Sequence, residues 1–247
     1  MSDVAIAFVL VALAVGISRV RRMGLEKDLL IATVRAIVQL AAVAAVIDVV
    51  FSNTGWSGLL LVVMLAAAAW TSGRRLAGVP HAPWLAALTI GSSSAVALAV
   101  LFGAGVFEFA PRFLIPIAGM LIGNAMVATS LAGSRLRDEF VDKTLEVEAR
   151  LALGVRAKDA LQSYIRRATT AAMIPTIDTT KNVGLIHLPG AFVGMLLGGA
   201  SPAEAAQVQL VVLFMLLGAI AVAGMLTTIL VARTFIGPGE RIVIPVQ

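Results

Sequence analysis

The sequence predicts an all-α integral membrane protein, a single membrane domain over residues 1–247 with about seven transmembrane helices. Three observations predict it. Hydrophobic residues make up 60% of the chain and charged residues only 13%, where ordinary soluble domains carry roughly 25% charged. Apolar segments recur along the whole length, which a single secretory leader does not explain. Lys and Arg are shared very unevenly between alternate loops. The same composition excludes other classes. Cysteine is absent, which removes disulfides and thiolate metal sites. The net charge of +5 reads as loop asymmetry, so no nucleic-acid partner is expected.

About 20 apolar residues cross a bilayer core. The expected spans are 4–18, 29–47, 56–71, 84–102, 113–131, 183–199 and 205–232. The loops after the first, third, fifth and seventh spans hold 16 of the 19 Lys and Arg residues: Arg19, Arg21, Arg22 and Lys27, then Arg74 and Arg75, then eight between 135 and 167, then Arg233 and Arg241. That asymmetry puts the N-terminus outside and the C-terminus in the cytoplasm, in a multi-pass arrangement surrounded by membrane lipid. Counting back from Gly199 brings Lys181 near the cytoplasmic interface. Residues 168–181 then read as an interfacial or broken helix with a kink at Pro175.

One long polar island interrupts this pattern. Residues 135–167 hold 14 of the 33 charged side chains. Within it Leu145, Val147, Leu151, Leu153, Val155 and Leu161 punctuate the charges over two helical stretches broken at Gly154, which ends the first or permits a sharp turn. A short amphipathic helix of this kind can dock into a partner's groove through anchors spaced three and four apart. It can equally lie on the membrane surface as a connecting loop.

Polar groups inside spans are costly and mark functional candidates. Asn124 sits in a segment rich in small residues, with Met120 and Met126 beside it. Asn124 suits either a substrate path or an interhelical hydrogen bond. Gly119 and Gly123 favour close helix contact on that segment. Arg35 and Gln39 share a face of the second span, with Arg35 either snorkelling or paired. Asp178, Thr179 and Lys181 form the most polar cluster near a span. Asp178 and Lys181 either pair at i,i+3 or line a cytoplasmic vestibule in which Asp178 attracts a cation. Hard cations favour oxygen, so Asp178 is the expected metal contact, with Asn124 second. The methionines suit flexible packing better than a soft-metal path, and His187 is a borderline ligand. Gly190, Gly194 and Gly198 recur every four residues, as an intramolecular packing stripe or a dimer seam. Ser92, Ser93 and Ser94 lack a poised base and do not support an intramembrane protease.

The spacing Glu148-Ala149 followed by Gly154 resembles the coupling loop of ABC importer permeases, whose pattern opens Glu-Ala-Ala with a glycine four residues after the second alanine. Arg150 departs from that pattern, and the downstream apolar-Leu-Pro element is not cleanly present. A wider set of residues is more specific. The run Ile115-Pro-Ile-Ala-Gly-Met-Leu-Ile-Gly-Asn-Ala-Met126, then Leu151-Ala-Leu-Gly154, Ile174-Pro-Thr-Ile-Asp178, Leu188-Pro-Gly190 and Gln209 resemble the FetB family (UPF0014 type) of iron-export ABC permeases, related to plant aluminium-tolerance permeases. The similarity covers most of the chain and is dense from about 112 to 220. The resemblance implies a permease driven by a separate FetA-like ATP-binding subunit, which would hold the ATP and Mg, with no cofactor in this chain. It implies a coupling region at about 132–167, with Glu148, Ala149, Arg150, Leu151, Leu153 and Gly154 carrying the contact, and a homodimeric assembly. No Gly-x-x-x-x-Gly-Lys-Ser/Thr run occurs, so the chain is expected not to be an enzyme by itself. An ATP-independent channel or carrier, or a scaffold recruiting a cytosolic protein, is the alternative. Several buried carboxylates along the spans would favour the carrier, and they are scarce.

Overall fold

A computed structural model describes the backbone of residues 2–52, 54–237 and 241–242. Nearly all of it is helical: α1 Ser2–Val20, α2 Glu26–Ser52, α3 Thr54–Arg75, α4 Ala82–Gly103, α5 Pro111–Asp142, α6 Thr144–Ala152, α7 Ala157–Asn182, α8 Gly190–Leu197 and α9 Pro202–Thr234. A two-stranded hairpin, β1 Ile236–Gly237 against β2 Arg241–Ile242, follows. The residues form two compact units, 1–56 and 57–247.

The first unit is a helical hairpin of α1 and α2. Its turn uses left-handed backbone at Arg22 and Gly24 (φ 53° and 72°). Buried Ser18 locks it, accepting from the Leu25 amide at 3.1 Å while donating to Glu26 Oε1 at 2.8 Å. The rest of α2 is almost wholly exposed and apolar.

The second unit packs α5, α7 and α9 around one another, with α4 against α5 and α9. Among the described residues five helices are long and apolar enough to cross a membrane: α4, α5, α9, and stretches of α2 and α3. A shorter apolar helix spans Ile6–Val20. At 1.5 Å per residue, the 32 residues of α5 extend about 48 Å, beyond the roughly 30 Å hydrocarbon core. Its polar end, Arg135–Asp142, therefore continues out of the apolar layer as helix, where the sequence suggests loop. Core layers stack along the bundle. At the charged end Leu76, Leu136, Phe140, Leu161, Tyr164 and Phe235 are fully or nearly fully buried, with the Phe140 and Phe235 rings stacked at 4.7 Å. The middle layer joins Ile90, Ile122, Ala125, Ile220 and Ala223, with Met173 packed on it. Gly133 marks a close approach beside the charged-end layer: a Cβ on it would clash with Leu76 Cδ2 and lie 3.3 Å from Thr227 Cγ2.

Two expectations are corrected. Residues 168–181 are neither broken nor separate: α7 runs unbroken from Ala157 to Asn182 through Pro175. Its polar composition hides a helix covered on two sides by α5 and α9, through the small buried residues Ala160, Ala168 and Ala172. The sixth span expected at 183–199 is not a crossing helix. Gly184 turns left-handed (φ 82°), its amide donates to the His187 carbonyl at 2.9 Å, and α8 has only 8 residues, about 12 Å long. Lys181 moves accordingly. It lies 14 residues, about 21 Å along α7, from Arg167 and the charged end.

Candidate functional site

The polar island becomes the end of α5, all of α6 and the start of α7. α6 closes on a two-bond C-terminal turn: the Gly154 amide donates to the Leu151 carbonyl at 2.9 Å and the Val155 amide to the Arg150 carbonyl at 3.1 Å. The turn requires Gly154 to be left-handed, and its φ is 82°. α6 then presents two faces. Val147 is buried and Leu151 packs on the core below, while Arg150 is half-buried. Leu145, Glu148, Ala149 and Ala152 are exposed and spaced three and four apart, with exposed Leu153 next to them. Leu145 and Leu153 are 81% and 84% exposed. These two large apolar side chains, one in the first turn of α6 and one just past its end, are left uncovered by the rest of the chain. Of the six residues assigned to coupling, Glu148, Ala149 and Leu153 thus face outward, Arg150 and Leu151 anchor the helix, and Gly154 ends it.

Tyr164, the chain's one tyrosine, ties α6 to the bundle. Its ring is buried between two guanidinium groups, Arg150 Cζ at 6.0 Å from the centroid and Arg167 Cζ at 4.8 Å. Arg150 also pairs with Glu146 at 2.6 Å. The Tyr164 hydroxyl lies beside the Glu146 carboxylate but makes no well-formed hydrogen bond among the described residues. Burial pushes its pKa above the usual phenol range, and the nearby Glu146 carboxylate adds to that push. Arg167 continues the chain of contacts by bonding Glu139 Oε2 at 3.1 Å, while Arg135 reaches Glu139 Oε1 at 3.3 Å. Glu139 therefore clamps α5 to α7 at the charged end. Arg137 adds an anchor to the α3–α4 turn, donating to the Ala77 carbonyl at 2.8 Å. Neither Tyr164 nor Glu139 stood out in the sequence. A lone tyrosine three residues before an arginine was the available signal.

From that clamp two exposed faces run side by side. On α5, Asn124, Val127, Leu131 and Arg135 are exposed; on α7, Arg167, Thr170, Ile174, Asp178 and Lys181 are. Each set recurs at three- and four-residue intervals, so each is one helix face. Asn124 lies 11 residues from Arg135, and Asp178 lies 11 residues from Arg167. The helices run antiparallel from the Glu139–Arg167 contact, which leaves Asp178 11 residues, about 16 Å, along α7 and Asn124 15 residues, about 22 Å, along α5. Asn124 donates to the Met120 carbonyl at 2.9 Å, which leaves its oxygen acceptor unused. Asp178 and Lys181 form no salt bridge with one another or with any described residue, so the i,i+3 pairing is not made. Thr179 and Thr180 donate back to the Pro175 and Thr176 carbonyls, each at 2.8 Å.

The remaining expected residues separate from this seam. Met120 and Met126 are half-buried and pack on core layers. Arg35 and Gln39 are exposed on α2 in the other unit. A Cβ at Gly119 would sit 3.0 Å from Met64 Cε, whereas Gly123, Gly190 and Gly194 face open space and Gly198 meets only carbonyls of its own helix. Among the described residues no three His, Cys, Asp or Glu side chains converge as a metal cage, and His187 is exposed in the turn after α7. Sequence spacing also gave no hint of the buried hydroxyl contacts: Thr89 and Thr227 each 3.3 Å from Thr129, Ser72 3.1 Å from Ser130, and Thr169 2.9 Å from Thr228. These join α3, α4, α5, α7 and α9.

Comparison with known proteins adds lineage to this geometry. The chain is 41% identical over 226 residues to the rice UPF0014 membrane protein STAR2, an alignment covering 91% of this chain and 79% of that one. It is 39% identical to Protein ALUMINUM SENSITIVE 3 of Arabidopsis thaliana, over 94% and 85% of the two chains. With the probable iron export permease protein FetB of Escherichia coli K12 it shares 36% identity over 98% and 94%. No solved structure matches. The family model named "Uncharacterised protein family (UPF0014)" matches residues 1–236, and this multi-pass membrane protein with its outward-facing α6 therefore belongs to the UPF0014 family of membrane proteins.

Proposed function

We propose that the chain is the membrane permease subunit of an ABC transporter that exports iron or a related metal ion, with ATP hydrolysed by a separate FetA-type subunit. The observation that carries this is α6: an ordered helix with leucines 81% and 84% exposed at its two ends, closed at Gly154 and connected through Tyr164 to the α5–α7 pair. Such a helix suits a groove in a soluble partner. The positive-inside rule supports a cytoplasmic position for it. In this reading α7 is the sixth crossing, which preserves the orientation because it replaces the expected span at 183–199 one for one. Asp178 and Asn124 then face a path through the membrane, where carboxylate and amide oxygens suit transient contact with a hard cation. The name of the E. coli relative supports the cargo class and direction.

The test is reconstitution with the ATP-binding subunit. Leu145→Glu places a charge in the docking face without touching the core. It is expected to abolish co-purification of the ATPase while leaving insertion of the permease unchanged. Metal-dependent flux that requires no ATP and ignores Leu145→Glu would instead indicate an autonomous carrier. ATPase capture without any flux would indicate a scaffold. Accumulation in cells lacking the permease, compared across iron, manganese, cobalt, nickel and zinc, identifies the cargo.

A further inference from the structure

We propose that the α5–α7 seam is the seat of a second copy of this chain, with Asp178 of each protomer set against Lys181 of the other. This rests on the reading of the chain as a membrane-embedded permease and names the surface through which two copies meet.

Depth is the first observation. Asp178 is 11 residues beyond Arg167 on α7, about 16 Å, close to half of a roughly 30 Å hydrocarbon core. Packing gives an independent measure. Met173 sits on the same core layer as Ile122 and Ala125 of α5 and Ile220 and Ala223 of α9, near the middle of two helices long enough to cross. Asp178 is five residues, about 7 Å, past that layer. With α7 as the sixth crossing, both measures put Asp178 and Lys181 within the apolar depth, and both are exposed. Charged side chains at that depth almost always face protein or a water-filled cavity, and they pair. These two face neither within the second unit.

Charge complementarity is the second observation, and it identifies the occupant. Asp178 and Lys181 are opposite in sign and three residues apart on one face, yet unpaired. A two-fold contact requires a self-complementary patch, in which one residue meets a second and the second meets the first. In a membrane the two-fold axis runs along the bilayer normal, because both copies share one topology. Every residue then lies at the depth of its own copy, and Lys181 is about 4.5 Å from the height of the opposing Asp178, within reach of a lysine side chain. Thr170, Ile174, Val127 and Leu131 supply the smaller apolar and hydroxyl contacts around this pair, while Asn124 lies farther along the exposed face of α5. The seam would thus be both dimer contact and lining of the shared path.

The absence of cysteine makes the test direct. Ile174→Cys or Thr170→Cys in the otherwise native chain, expressed with the ATP-binding subunit in membranes and mildly oxidised, is expected to form a disulfide-linked permease dimer. Val62→Cys, on an exposed face of α3, is the control and is expected to stay monomeric on the gel. Asp178→Lys in the Ile174→Cys background should lower the cross-linked fraction about tenfold, and adding Lys181→Asp should restore it. No cross-link at either position, or equal cross-linking of the Val62 control, overturns the proposal. So does a charge exchange that fails to rescue. Continued capture of the ATPase by a permease that does not cross-link would refute this surface while leaving the permease reading intact; loss of both would refute that reading as well.

Discussion

Gly154 offers a graded perturbation whose size follows from the structure. Its φ of 82° is left-handed, and a Cβ built on it meets nothing within 4 Å. Gly154→Ala therefore costs only the backbone conformation, about 1–2 kcal/mol. Gly154→Asn costs less, because asparagine tolerates that region. Gly154→Pro is worse than either. Proline fixes φ near −65° and deletes the amide that donates to Leu151, together about 3 kcal/mol or more. α6 has 9 residues, far short of the roughly 12–15 at which an isolated helix becomes even marginal, so it depends on this turn. A loss of 1–2 kcal/mol shifts its ordered population about 5–30-fold. Hydrogen exchange of the Gly154 and Val155 amides, read in the reconstituted permease, should accelerate by that factor in the alanine variant. The Val155 amide should accelerate by more than about 100-fold in the proline variant. ATP-driven flux should fall in the order Asn, Ala, Pro while membrane insertion stays normal. An alanine variant with native exchange and flux, or a proline variant no worse than alanine, would refute the reasoning.

Three further outcomes are expected. Tyr164→Phe removes a buried hydroxyl with no well-formed hydrogen bond and should leave the melting temperature unchanged or raised, whereas Tyr164→Leu also removes the ring between Arg150 and Arg167 and should lower it. The raised Tyr164 pKa means the folded chain holds that proton more tightly than the unfolded one, so stability is full below about pH 10 and declines as pH rises above it; thermal melts should show a shallower alkaline decline in Tyr164→Phe. A double-mutant cycle of Thr169→Val and Thr228→Val should give a coupling of about 0.6 kcal/mol, typical of interhelical hydrogen bonds in membranes, and additive effects would show that the 2.9 Å contact carries no energy. Asp178→Asn should weaken metal-stimulated flux while leaving ATPase association intact, with loss of ATPase capture as the contrary result.

What the sequence made legible follows from what water and lipid demand of it. The turn at Gly154 was readable because a left-handed position selects its residue type directly. The spans of α4, α5 and α9 were readable because helices with lipid-facing surface must be apolar. α7 was not, because α5 and α9 cover its small residues and remove any need for an apolar circumference. The stretch at 183–199 misled for the converse reason: it is apolar enough to cross, but Gly184 and Pro189 leave only eight helical residues. Positions such as Thr129 and Thr227, 98 residues apart, meet only because two long helices pack. The relation between Asn124 and Asp178 was half legible. Each residue was visible as a polar group in an apolar setting, but that their two exposed faces run from one Glu139–Arg167 contact required the packing of α5 against α7.

The hydroxyl contacts that join α3, α4, α5, α7 and α9 also determine how the second unit senses voltage. Moving one elementary charge through a membrane potential is worth about 2.3 kcal/mol per 100 mV, and that energy acts on charges alone. The buried polar side chains of the described residues are serines, threonines and one glutamine, with no ionised group among them. An interior fastened by neutral donors has almost nothing for the field to grip, so helix packing should be the same in an energised and a de-energised membrane. In the proposed reading, with α7 a crossing, what the field would grip is the exposed Asp178 and Lys181, whose opposite signs nearly cancel for a rigid movement of α7. A cation paused beside Asp178 would upset that balance, so the loaded state would feel the membrane potential more strongly than the empty one.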